Sequence, residues 1–325
     1  MWMNEKNGFD KLNKMGRDNE KFLFIISFDR SKIFASNLKN LNNKILYKLD
    51  NWSNCKDVDM DALGRKFIFE KFPTGYSEYK KSIDQVKNQI KAGNTYLLNL
   101  TFPTPIYTNM KLGKIFRYSK AKYKLYLKNR FVCFSPEKFI EIEKNTVAAY
   151  PMKGTIDASV PNARESILSD EKEKAEHTMI TDLMRNDLNK IAKNVKVENF
   201  RYIDKIKAGN RELLQISSKI SGILDSDWRR RLGNILAEIT PAGSITGTPK
   251  KKTVSIIKKI ERYERGFYTG IFGVCKGDIL RSAVMIRFIE KEDAGLIYKS
   301  GGGITLDSDP AKEYEELLEK IYIPI

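Results

Sequence analysis

Histidine and cysteine are nearly missing from this chain of 325 residues, which has one histidine (His177) and three cysteines. Cys55, Cys133 and Cys275 lie far apart and are odd in number. They fit no disulfide framework and no metal-ligand spacing, and they suit a reducing cytoplasm. Cys133 and Cys275 fall in apolar runs and are expected in the core. No stretch reaches the length of a membrane span, and the first residues (Met-Trp-Met-Asn-Glu) hold no apolar segment of signal length. A membrane partner is therefore not expected. Acidic residues are in deficit: 41 Asp and Glu face 58 Lys and Arg, for a net charge of +17. Such a balance suits nucleic acid, an acidic membrane surface or an anionic small substrate. The lysines are scattered from Lys6 to Lys320, with no basic tail, arginine block or recognised nucleic-acid motif. That distribution favours an evenly charged surface with local use for an anion.

What is present is globular: 41% hydrophobic, 30% charged. Strands are expected over residues 21–28, 65–72, 95–102 and 131–134. A helix capped by Ser77 is expected to run through Ile90, and another to cover 112–128. Asn99 is polar inside an apolar run, which fits a satisfied core amide or a ligand contact. Further on, strands are expected over 195–203, 213–223, 269–274, 279–288 and 294–298. Helices are expected over 170–191 (with Ser169 as N-cap), 227–239 and 249–261. Residues 240–250 are rich in small and hydroxyl side chains and precede a helix, a ready anion site but not a Walker loop. The last strand is expected to end at Gly301-Gly302-Gly303-Ile304, and residues 307–310 to cap a final helix.

Three groups of residues carry candidate chemistry. Lys153 stands between Pro151 and Gly154, where the backbone is stiff on one side and free to turn on the other. This predicts a lysine aimed from a strand end; a lysine in a solvent loop also fits. Glu137 lies sixteen residues earlier at the expected first turn of a short helix, close enough for two antiparallel strands to bring it to Lys153. Glu173 and Glu176 share a helical face, as do Glu313 and Glu316; solvated carboxylates paired with lysine explain both equally well.

The stretches SPEKF, PMKGT, DEKEKAEHTMITDLMRNDL, PAGSITGTPK, YTGIFG, SAVMIRF and GGGITLDSDPAKEYEE decide between these readings. In this order the chain resembles the chorismate-utilising enzymes, which include anthranilate, aminodeoxychorismate, isochorismate and salicylate synthases. The resemblance implies an α+β fold of two large antiparallel β-sheets packed as a sandwich with helices outside. It implies one catalytic domain over 1–325, with 76–325 as the matching core and 1–75 less defined. Lys153 matches a nucleophile toward C2 of chorismate, and Glu137 the general acid for the C4 hydroxyl. Glu176 and Glu316 match ligands of Mg2+, with Glu173 and Glu313 in support. Asn99, Thr155, Thr246, Lys250, Tyr268, Thr269, Arg287, Gly302 and Gly303 match substrate-binding positions. A lysine in PMKGT resembles the aminodeoxychorismate synthases, which use ammonia from a separate glutamine amidotransferase subunit in the folate pathway. Anthranilate synthase component I is the alternative, and a basic nucleic-acid-binding protein the non-enzyme one. A neutral Lys153 is needed for attack, and a nearby cation and poor solvation would lower its pKa. Two positions depart from the family pattern: Leu97, where relatives often have Gln, and Gln215, where they often have His. Leucine cannot activate water, which argues against hydration chemistry.

Overall fold

Strand Phe22–Ile26 is buried at all five of its residues. An apolar run with no polar face needs a partner layer on both sides, and the rest of the fold supplies them. The computed structural model describes residues 1–56, 58, 66–208 and 211–325, with backbone alone at Thr155, Lys172, 206–208 and Arg211.

Two nine-stranded antiparallel sheets form the frame. The first runs Met152–Asp157, Arg211–Ile223, Thr146–Ala149, Lys138–Glu143, Ile279–Val284, Ile271–Lys276, Phe22–Ile26, Ile33–Asn37, with Lys193–Ala208 also paired to Arg211–Ile223. The second runs Gly247–Thr248, Leu97–Thr108, Gly295–Ile304, Phe288–Glu292, Phe131–Ser135, Tyr123–Leu127, Ile45–Leu49, Trp52–Ser53, with Phe69–Lys71 also paired to Leu97–Thr108. Alternation assigns the layers. Leu23 and Ile25 join Phe272, Val274, Leu125, Phe131 and Cys133 in the core between the sheets. Phe22, Phe24 and Ile26 point the other way, onto Leu12, Ile180, Met184 and Leu236 of the outer helices. Val132 and Phe134 turn to a third cluster with Ile115 and Phe116. Helices Tyr76–Lys91, Lys250–Ile260 and Pro310–Glu319 cover the Leu98–Phe102 end of the second sheet. Cys133 and Cys275 are core residues as expected.

Several local expectations change. Residues 112–128 hold a short helix, Leu112–Tyr118, and then the strand Tyr123–Leu127. The alternating Tyr123, Leu125 and Leu127 reach the inter-sheet core, a period that Lys124 and Tyr126 between them mask in sequence. The 279–288 run divides into Ile279–Val284 and Phe288–Glu292, one in each sheet. The chain crosses at Met285-Ile286-Arg287, where Arg287 takes φ 51°. The last strand, Gly295–Ile304, runs on past 298 and takes in the glycine triplet, which pairs with Asn99–Thr101. Glu137 sits in the turn between strands, not on a helix. Asp170, not Ser169, caps helix Glu171–Asn189, and Gly75, not Ser77, precedes Tyr76–Lys91. Of the 65–72 strand only Phe69–Lys71 forms, and Arg65 lies outside the described residues. The described part of residues 1–75 contributes strands to both sheets, and it holds a helix, Glu5–Arg17, that its lysine-rich sequence did not reveal.

Candidate active site

The Asp170 side chain accepts from the Glu173 amide at 2.9 Å and fixes the start of helix Glu171–Asn189. Ile180, Met184 and Leu188 seat that helix on the first sheet. Its first turns then carry Glu173 and Glu176 to strand Met152–Asp157. There the pairing with Arg211–Ile223 shifts register between Lys153 and Thr155, around Gly154 at φ 76°. A bulge at this glycine re-aims the neighbouring side chain, and Lys153 forms an ion pair with the buried Glu176. From the other side comes helix Pro310–Glu319, capped by Asp309 and opened by Pro310. Its Glu313 is buried and accepts from Ser308 at 2.8 Å, and its Glu316 pairs with Lys320 at 2.6 Å.

The glycine triplet lies where these elements converge. A Cβ on Gly303 would sit 3.6 Å from Lys153 Nζ and 3.8 Å from Leu97 Cδ1. A Cβ on Gly302 would sit 3.6 Å from Lys320 Nζ and 3.8 Å from Glu313 Oε2. Glycine here keeps open space under two amines and beside an apolar wall. Lys320, which the sequence reading passed over, also donates to the Gly301 carbonyl at 3.0 Å. Its signal was present: it falls four residues after Glu316, one helical turn along the same face.

Charge explains the ionisation of this cluster. Burial pulls the Lys153 amine down, but Glu176, Glu173 and Glu316 outweigh it and hold the pKa above the usual lysine value. Poor solvation by itself therefore does not lower Lys153 here. Burial, with Lys153 and Arg287 adding like charge, lowers Lys320 even against Glu316. Burial raises Glu173, helped by Glu176 and Glu316 and opposed by Lys153. Burial also raises Glu137, against a hydrogen bond from Ser244 and the charge of Lys320. Lys320 thus lies within electrostatic reach of both Glu137 and Lys153.

The remaining predicted residues form the surroundings. Asn99 stands opposite Gly303 in the strand pairing, and its backbone N–H donates to the Thr246 carbonyl at 2.8 Å. Arg287 donates to the Lys320 carbonyl at 2.7 Å, with its guanidinium over the Tyr322 ring. Tyr268 and Thr269 are buried beside Arg265, and the Thr269 hydroxyl is turned to the Tyr268 carbonyl at 2.6 Å. The Thr246 hydroxyl is spent on the carbonyls of Ala242 and Gly243. Lys250, expected to hold a substrate carboxylate, is bound instead to Asp187 and the Ile239 carbonyl. The Thr155 side chain lies outside the described residues, and Gln215 stands opposite Thr155 in the strand pairing.

The carboxylates suit a hard cation. Glu173 Oε2 is buried with no hydrogen-bond partner among the described residues, and Glu173, Glu176 and Glu316 all bear on one ammonium. Oxygen donors of this kind are what Mg2+ takes. As they stand, no three acidic, histidine or cysteine side chains among the described residues are grouped to hold a metal. Lys153 is the cation they face.

Comparison with known proteins agrees with this architecture. The profile of chorismate binding enzymes matches residues 23–325. A Haemophilus influenzae protein named an uncharacterized PabA-like protein is 44% identical, over 97% of this chain and 96% of that one. Anthranilate synthase component 1 of Saccharolobus solfataricus is 33% identical over 86% of this chain and 70% of its own. Aminodeoxychorismate synthase component 1 of Bacillus subtilis is 28% identical over 75% and 54%. Among solved structures, the menaquinone-specific isochorismate synthase MenF of Escherichia coli superposes with a TM-score of 0.72 over 98% of this chain and 82% of that one, at 14% identity. That likeness is one of fold. From the profile match and the relatives above 30% identity, the chain belongs to the chorismate-binding enzyme family.

Proposed function

We propose that the protein aminates chorismate at C4 with ammonia, giving 4-amino-4-deoxychorismate. The observation that carries this reading is Lys153, an amine set among Glu173, Glu176 and Glu316 directly beside the open backbone of Gly303. The B. subtilis relative named for this activity supports it. In this reading Glu173, Glu176 and Glu316 hold Mg2+, with Glu313 in support. Bound there with the C1 carboxylate of chorismate, the cation would withdraw electron density from the ring and make C2 attackable. Engaging the three glutamates would also remove the pairing that keeps the proton on Lys153. Once its proton passes to solvent, the amine attacks C2, both ring double bonds shift one bond along, and the C4 hydroxyl leaves as water with a proton from Glu137. Ammonia then attacks C4 and loses a proton, both double bonds shift back, and Lys153 is released from C2 as the amine. Leu97 keeps an apolar wall beside the amine, which gives water no base for attack at C2. Lys320 and Arg287 supply positive charge for a dianionic substrate. The ammonia would come from a separate glutamine amidotransferase subunit, and the reaction would run in the cytoplasm as one catalytic domain.

A second reading is anthranilate synthesis, favoured by the S. solfataricus relative. It adds ammonia at C2 and eliminates pyruvate. Incubation with chorismate, Mg2+ and ammonium, followed by product mass, separates the two. A product retaining the enolpyruvyl group supports amination at C4. Anthranilate and free pyruvate would sink it.

A further inference from the structure

Between the two halves of the site, the Ser244 hydroxyl donates to Glu137 Oε1 across 107 residues of sequence. We propose that Ser244 is a positioning residue for this acid, holding one carboxyl oxygen so that the proton to be given up is carried by the other, Oε2. The proposal rests on the reading above, in which Glu137 protonates the leaving hydroxyl.

Both ends of the contact are fixed. The backbone of Glu137 is tied at its amide, which donates to Ser135 Oγ at 3.0 Å, and at its carbonyl, which accepts from the Val284 amide at 3.1 Å. Ser244 rides on the turn Gly243–Ile245. That turn is braced from within by the Thr246 hydroxyl on the carbonyls of Ala242 and Gly243, at 2.9 and 3.1 Å. It is braced from outside by Arg265, whose Nη1 donates to the Ile245 carbonyl at 2.8 Å. Arg265 is buried against Glu261, with bonds of 2.8 and 2.7 Å, and its Nη2 also reaches the Asn99 carbonyl at 2.7 Å. One buried guanidinium therefore registers the turn that carries Ser244 with the strand that carries Asn99. A side chain presented by such a scaffold loses little entropy on forming its bond.

The kind of donor matters. A cation bonded directly to Glu137 would favour the carboxylate and spoil an acid. A hydroxyl claims one oxygen without adding charge. The charged group bearing on Glu137 is Lys320, which is itself paired with Glu316 and near Lys153 and Arg287. Burial pushes Glu137 up while Ser244 and Lys320 restrain it, which keeps the acid titratable.

The test compares Ser244→Ala, Ser244→Thr and Glu137→Gln in the full chain. In the resting enzyme, the carboxyl infrared band lost in Glu137→Gln is followed against pH. Ser244→Ala should move its midpoint upward, because a donor to the ionised form is gone, and Ser244→Thr should restore it. In turnover with chorismate, Mg2+ and ammonium, Ser244→Ala should lower kcat about tenfold or more with KM for chorismate little changed. The limb of the kcat profile that belongs to Glu137 should move with the band, and threonine should rescue both. An unmoved band in Ser244→Ala, or a threonine variant no better than alanine, overturns the proposal. If the wild type yields no aminated chorismate, the amination reading falls, and the resting-enzyme band still decides the role of Ser244.

Discussion

Lys153 and Lys320 reach neighbouring glycines of one triplet, Gly303 and Gly302, yet their surroundings drive the two amines apart. Three glutamates hold the proton on Lys153, whereas burial and like charge loosen it on Lys320. A nucleophilic Lys153 is therefore an amine that must first lose its partners, and the reaction should depend on a cation that takes them. Glu176→Ala and Glu316→Ala should each abolish Mg2+-dependent binding of chorismate and cut turnover by roughly 10²-fold or more. Isothermal titration with Mg2+ and chorismate checks this, and undiminished ternary binding removes both residues from the site. With chorismate and Mg2+ but no ammonia, rapid quench should capture protein heavier by chorismate less one water. Peptide mapping should locate the addition at Lys153. Lys153→Ala should abolish the adduct and slow amination by roughly 10²-fold or more. An adduct mapping to Lys320 would move the nucleophile to the other amine. The candidate chemistry of Lys153, Glu176 and Glu316 was legible because motifs name them, whereas Lys320 was passed over. Their ionisation was not, because it depends on which charges arrive from helices far away in sequence.

At the scale of elements, close backbone contact decides what side-chain patterns leave open. Helix Glu5–Arg17 packs against Trp228–Arg231 and Leu232–Ile239 through glycines. A Cβ on Gly16 would lie 1.8 Å from the Arg229 carbonyl oxygen, and one on Gly233 would lie 2.0 Å from that of Phe9. The Asn13 side chain bridges the contact by accepting from the Gly233 amide at 2.8 Å. Helix propensity alone would reward Gly233→Ala by up to about 1 kcal/mol. The backbone clash should reverse that sign and cost about 1–3 kcal/mol. Chemical denaturation of Gly16→Ala and Gly233→Ala measures it, and a gain in stability for either would contradict the packing described. The same principle explains the missed elements. Residues 123–127 read as part of a helix until the sheet beside them makes their alternation useful. The 279–288 run read as one strand because nothing local marks where it changes sheets.

Across the whole molecule, stability should depend on pH through the buried His177, whose pKa is held at about 4 by burial, Arg201 and Lys153. Its ring contacts Ser218 at 2.6 Å and the edge of Phe200. A folded-state value below the unfolded one, near 6.5, favours the neutral ring. The stability it contributes is present above pH 6.5 and is lost as pH falls toward 4, on the order of 2–3 kcal/mol. Glu137 and Glu173, raised by burial, work in the opposite direction. Comparing wild type with His177→Gln at pH 7 and pH 4.5 isolates the histidine, since both proteins keep those glutamates. The wild type should lose more on acidification, and equal losses would rule the histidine out as the cause.

The sequence by itself determined the family, the α+β class and the core cysteines, and it named most of the ionisable residues that gather at the candidate site, because each rests on local composition or on a short contiguous motif. Tertiary structure alone decided which of them meet. Lys153, Glu176, Glu316 and the glycine triplet converge from a strand, two helices and the opposite sheet. Lys250 is engaged by Asp187 instead, and Lys320 joins the cluster from the end of the last helix. Spacing along a chain fixes the face a residue takes on its own element. The charge it meets across the site is fixed only when separate elements pack.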